Sequence, residues 1–269
     1  MRNKFGVELE SYGLRVKDIA TEIENIDNLL HVDNSHTHNG GTYFDGVTWQ
    51  TMKDSSLRNG NNQKVNARWN KRGTHEVVSP VLQGRKGMQH MHKVMRALAK
   101  KGAKVNKSCG THVTLDCNNS RWNRMSSAKK TATIEQICET YYYFSNVIES
   151  MLAPSRRNTY FAVVSPTPKW HDKYQAVNVS KFARYGVIEF RQHQGTLNPI
   201  KLRNWILFCQ QIMNHAVNEE FADNRHLYDY PQTLHGMAEC IGLNEAQVRF
   251  WTQRIRDLND TTHAILTIA

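Results

Sequence analysis

Four short segments place carboxylates, imidazoles or a guanidinium at alternate positions, where a β-strand would turn them to one face. Glu8 and Glu10 stand opposite Phe5, Val7 and Leu9, and Glu76 stands beside Val77 and Val78. His112, Thr114 and Asp116 oppose Val113, Leu115 and Cys117; Glu189, Arg191 and His193 oppose Ile188, Phe190 and Gln192. A sheet face with this many carboxylates repels itself unless cations neutralise it. Carboxylate oxygens with one imidazole suit hard ions such as Mg²⁺, which also carry nucleotide phosphates. Taken singly, each pattern is also that of a solvated strand face, and alternation by itself shows shared faces rather than convergence.

Other groups carry weaker chemistry. His31, Asp33, His36 and His38 cluster in one segment, but no fourth ligand follows at the spacing of a structural zinc site. His90 and His92 fall on a basic helical stretch and read as surface residues. Tyr141, Tyr142, Tyr143 and Phe144 could stack bases. Inside a helical pattern they read instead as core and rim. Cys109 adjoins the His112 segment and reads as a small buried filler, not a nucleophile.

The elements that must position these groups follow from periodicity. Strands are predicted over Phe5 to Glu10, Val47 to Lys53, Glu76 to Ser79, Thr111 to Cys117 and Val187 to His193. Ile19, Ile23, Ile26 and Leu30 set a helix over Val16 to Leu30, and Met88, Met91, Met95 and Leu98 set another that ends at Gly102. A long helix is expected from about Thr133, with Gln136 completing a capping box. Pro199 after Asn198 opens a helix to about Asn218, and Asn244 with Gln247 opens the last. His31 to Asp45 reads as a polar loop and Ser55 to Gly73 as a mobile insertion rich in Asn, Lys and Arg. Helices and strands do not alternate regularly, which favours an α+β fold with an antiparallel or mixed sheet over a doubly wound one.

The chain has 269 residues, 39% of them hydrophobic and 22% charged, which excludes disordered and fibrous classes and fits one large domain. No apolar run approaches the roughly 20 residues that span a bilayer. Five cysteines without a C-x-x-C pair read as reduced thiols, so a cytoplasmic protein without membrane partners is expected. The net charge of +11 is concentrated: Lys53 to Lys107 holds 14 Lys and Arg against two acids. Such a block attracts phosphate, in ATP or in nucleic acid, or forms a solvated face.

In order, F-G-V-E-L-E at 5–10, W-Q-T-M-K-D-S-S at 49–56, H-E-V-V-S-P at 75–80, V-N-K-S-C-G-T-H-V-T at 105–114 and I-E-F-R-Q-H-Q-G-T-L at 188–197 resemble the amidoligase family. That family belongs to the glutamine synthetase and glutamate–cysteine ligase superfamily of carboxylate–amine ligases. The resemblance runs from about residue 3 to 218, leaving 219–269 as a helical C-terminal extension of a single domain spanning 1–269. It implies a glutamine synthetase-like curved antiparallel sheet that carries the active site, with helices on its outer face. It also implies ATP with Mg²⁺ or Mn²⁺, an acyl-phosphate intermediate, and carboxylate and amine substrates, small molecules or peptides. By motif, Glu8, Glu10, Glu76, His112 and Glu189 are implied metal ligands. Glu189 and Arg191 are the implied catalytic pair, with Arg191, Arg184 and Thr114 against the nucleotide. The family commonly has H-V-H where this chain has His112-Val113-Thr114, so a neutral hydroxyl replaces an imidazole. Members are often encoded by bacteria or phages, beside amidotransferases or other ligases.

Two rivals stand beside the ligase. One is a phosphotransferase on the same scaffold. The other is a nucleic-acid-binding protein that uses the basic 53–107 segment, and nucleic acid stays open as a partner of either.

Overall fold

The structure, a computed structural model, describes residues 4–27, 29–34, 48–157, 159–218 and 226–268. The chain is α+β, and its described residues form two compact units: Met1–Leu115 with Gln194–Arg203, and Asp116–His193 with Asn204–Ala269.

In the first unit β1 (Lys4–Leu14) leads into α1 (Val16–Glu24), followed by β2 (His31–Asn34), β3 (Trp49–Met52), β4 (Gly73–Val78), β5 (Leu82–Gln83), α2 (Gly84–Lys101) and β6 (Gly110–Asp116). β1 is central and pairs antiparallel with β4, β5 and β6, while β3 pairs antiparallel with β4. β2 lies parallel to β3, so the sheet is mixed, one of the two forms expected from the element order, where the resemblance implied an antiparallel one. Register confirms the segregated faces: Glu8 sits opposite His112 and Val78, Glu10 opposite Glu76, and Gly6 opposite Thr114. The other face buries Phe5, Val7, Leu9, Val77, Val113 and Leu115, and the same core takes Ile19 and Ile23 of α1 and Met91, Val94, Met95 and Leu98 of α2. Each Leu, Val or Ile buried in this way contributes roughly 1.5–3 kcal/mol.

Several expectations shift at their edges. α1 stops at Glu24 because Asn25 caps it and Asp27 takes a left-handed conformation, leaving Leu30 exposed. His31–Asn34 is a strand where a loop was expected, held by backbone pairing to β3 and by His31 Nε2 2.7 Å from Thr51 Oγ1. The 55–73 segment is a built loop, with Leu57 and Ala67 buried and Asn106 Nδ2 donating to the Arg58 carbonyl at 2.9 Å. α2 ends as expected, with Gly102 in the left-handed region that glycine tolerates. His36 and His38 of the histidine cluster lie outside the described residues.

The second unit contains α3 (Ser120–Asn123), α4 (Ser127–Tyr143), α5 (Ser145–Met151), β7 (Val177–Asn178), α6 (Phe182–Tyr185), β8 (Val187–Gln194), α7 (Pro199–Val217, from Asn204 onward), α8 (Leu234–Ile241) and α9 (Glu245–Ile268). α4 starts six residues before Thr133: Ser126 Oγ caps it by accepting from Lys129 N, and Thr133 Oγ1 donates back to the Lys129 carbonyl. α9 opens as predicted, with Asn244 and Gln247 bonding each other's backbone N–H at 3.0 and 3.2 Å. Its core gathers Phe190, Tyr141, Trp205, Phe208 and Trp251, with the Trp205 and Phe208 rings 5.1 Å apart. Among the described residues no helix is long and apolar enough to cross a membrane.

Candidate active site

β1, β4 and β6 build the polar face of the first unit. His112 is buried between two carboxylates: its Nδ1 lies 2.9 Å from Glu8 Oε2 and its Nε2 3.5 Å from Glu10 Oε1. The backbone N–H of Gly110, two residues earlier, donates to Glu10 Oε2 and fixes that side chain. Glu10, Glu76 and Asp54 then each bring a carboxylate oxygen within 4.8 Å of the other two. Asp54 is oriented by Ser56, whose N–H and hydroxyl donate to its Oδ1 at 2.7 and 2.6 Å. Four expected residues, Glu8, Glu10, Glu76 and His112, thus share one patch, and Thr114 lies one residue pair further along the same face.

Asp54 is the residue that sequence reasoning missed. It stood inside the quoted 49–56 motif, but it follows the strand instead of alternating within it, so periodicity did not flag it. Cys109 is buried, and Gly195 packs so closely on it that a Cβ there would lie 2.5 Å from the Cys109 Cβ. This contact braces the turn into β6 with Gly195.

On the opposite, apolar face, His75 Nε2 lies 2.8 Å from Ser11 Oγ, both fully buried. Burial pushes the His75 imidazole down to about 4, only partly opposed by the Gly73 carbonyl. A neutral imidazole in the core is a packing element, and a Ser–His pair without solvent access does no hydrolysis.

In the second unit, β8 presents Glu189, which is almost fully buried. Its Oε1 accepts from Arg191 Nη1 at 2.8 Å and its Oε2 from Asn178 Nδ2 at 2.5 Å, with Lys181 Nζ 4.0 Å away. The i, i+2 pair expected on one strand face is therefore a direct ion pair. Asn178 faces Glu189 across the β7–β8 register, a partner that lies eleven residues away in sequence and was not anticipated. Arg184 is exposed on α6, its guanidinium 5.1 Å from the Tyr185 ring. Tyr141 and Phe144 are core and Tyr142 is rim; the Tyr141 hydroxyl donates to Gln192 Oε1 at 2.8 Å. All five cysteines are buried, and burial drives the Cys138 thiol up to about 12 and raises Cys117 and Cys209 as well, so none of these three offers a thiolate.

A family model described as Putative amidoligase enzyme matches residues 1–167 and 123–213, together most of the chain. No curated protein matches it.

Proposed function

The chain belongs to this amidoligase family, and on that premise we propose that it is an ATP- and Mg²⁺-dependent carboxylate–amine ligase on a glutamine synthetase-like scaffold. One observation carries the reading: the carboxylate oxygens of Glu10, Asp54 and Glu76 lie within 4.8 Å of one another. Carboxylates this close repel one another, and a cation among them relieves the repulsion. Oxygen donors with one imidazole beside them fit Mg²⁺ or Mn²⁺.

Glu8, Glu10, Glu76 and His112, with Asp54 added, would hold such ions, and Glu189 keeps the ligand role that the resemblance implies. When bound, a divalent cation neutralises phosphate charge as it is transferred. Glu8 orients His112: its carboxylate accepts from Nδ1–H, which turns Nε2 toward Glu10 Oε1, 3.5 Å away. Glu189 fixes the Arg191 guanidinium, whose planar fork can take two phosphoryl oxygens. Arg184 and the Thr114 hydroxyl would meet nucleotide phosphates. In this reaction a substrate carboxylate oxygen attacks the γ-phosphorus, and the bond to ADP breaks. The amine nitrogen then attacks the acyl carbon, the bond to phosphate breaks, and the amine's proton passes to solvent. The products are an amide, ADP and phosphate. Catalysis of the first step is mostly positioning and charge neutralisation, which these residue types supply.

The test supplies ATP, Mg²⁺ and mixed carboxylates and amines to the purified protein and follows phosphate release. The ligase reading expects release that requires an amine and falls by about 10²-fold or more in Arg191→Lys. ATP consumption indifferent to amines would replace it with the phosphotransferase.

A further inference from the structure

Between Asp54 and Glu76, two of the clustered carboxylates, the chain runs 21 residues without an acid. It carries Arg58, Lys64, Arg68, Lys71 and Arg72, together with Asn59, Asn61, Asn62, Gln63, Asn66 and Asn70. This segment ends in a hairpin. Ala67 N donates to the Thr74 carbonyl at 2.8 Å and Thr74 N to the Val65 carbonyl at 2.6 Å. At the tip, Arg68 and Lys71 exchange backbone hydrogen bonds of 2.9 and 3.2 Å. Gly73 makes the closure: a Cβ there would lie 2.3 Å from the Val65 carbonyl oxygen.

The tip is also braced from outside. The first N–H groups of α1, those of Val16 and Lys17, donate to the carbonyls of Arg68 and Trp69 at 3.0 and 3.4 Å. Asp18, on that same helix, is engaged by Arg15 at 2.8 Å, so the acid beside the tip already has its cation. On this rigid turn Trp69 is 49% exposed, and Arg68, Asn70, Lys71 and Arg72 around it are all exposed.

We propose that this hairpin tip is a docking surface for single-stranded nucleic acid, with a base stacked on Trp69 and phosphates on Arg68, Lys71, Arg72 and Lys64. An exposed indole with cations one, two and three residues away pairs a stacking platform with backbone neutralisation. The amides along the segment add donors and acceptors for base edges. A membrane surface is the poorer fit: interfacial binding needs a broad apolar face, and here a single apolar side chain stands among polar ones. The tip lies in the same unit as the carboxylate cluster, on the chain segment that leaves from Asp54 and returns at Glu76.

The experiment is fluorescence anisotropy of labelled 15-nucleotide oligo-dT and oligo-U with the full chain, without ATP or divalent metal. The readout is therefore independent of the ligase reading. Four phosphate contacts give a slope of log affinity against log salt near −3, or roughly 50-fold weaker binding from 50 to 200 mM. Trp69→Ala should weaken binding roughly five- to 100-fold, while Trp69→Phe keeps most of it. Replacing Arg68, Lys71 and Arg72 with Ala should flatten the slope by about 2. Thermal melts of the same variants check that the fold survives. Binding that Trp69→Ala leaves unchanged, no oligonucleotide binding at all, or tighter binding to phosphatidylserine vesicles or to a poly-glutamate peptide than to oligonucleotide would overturn the proposal.

Discussion

Glu10 and Glu189 are both buried carboxylates on β-strands, and the neighbours that each finds within its own unit differ in kind. Around Glu10 the structure sets further carboxylates, Glu76 and Asp54, beside an imidazole and one backbone N–H. Around Glu189 it sets a guanidinium, an amide and a lysine ammonium. The first arrangement brings like charges together, whereas the second sets opposite charges beside the carboxylate. A buried carboxylate is thus not one kind of site. In the second unit the same residue type also holds an arginine by a direct ion pair.

The comparison is broken most sharply by paired substitutions read as metal-free stability. Arg191→Met removes the closest cation from a buried carboxylate and should cost about 3–5 kcal/mol. Glu10→Gln removes one of several like charges and should leave stability unchanged or raise it. Urea unfolding of both variants without divalent metal checks the opposite signs. If Glu10→Gln destabilises as much as Arg191→Met, the two environments are alike.

How far the sequence carried this contrast depended on the range of the forces involved. The alternation of Phe5 to Glu10 and of Val187 to His193 was legible because one buried face imposes a period of two. Glu8 with Glu10, His112 with Thr114 and Glu189 with Arg191 could each be placed on a common face for that reason, and family motifs gave them, with Glu76, their implied roles. Asp54 and Asn178 were not legible as site residues. Each reaches its partners across strand pairings that no local pattern encodes. The His31–Asn34 strand was missed because one valine in four residues gives no alternation, and parallel backbone pairing alone defines it. The 55–73 segment read as mobile because it is polar, yet buried Leu57 and Ala67 and the Asn106 bonds fix it from a distance.

A histidine of the first unit sharpens the comparison at the level of faces. His75, on the apolar face, is held neutral by burial, its pKa about 4 against an ordinary 6.5. Below pH 6.5 the unfolded chain gains a proton at this position that the folded chain refuses. Stability is therefore full above pH 6.5 and falls as the pH drops toward 4, by on the order of 3 kcal/mol. In His75→Gln that part of the pH dependence should vanish. Denaturant midpoints of both proteins between pH 4 and 7 provide the check, and parallel curves would mean that His75 does not titrate as its burial requires.

The central claim is that the Glu10, Asp54 and Glu76 carboxylates hold a divalent cation, and thermal melting during a Mn²⁺ or Mg²⁺ titration tests it most directly. Metal at 100 times its dissociation constant should stabilise the protein by about 2.7 kcal/mol. That gain should be lost in Glu10→Gln, Asp54→Asn and Glu76→Gln and retained in Trp69→Ala. A melting temperature that does not move at saturating metal, or that moves equally in the carboxylate variants, would contradict the account.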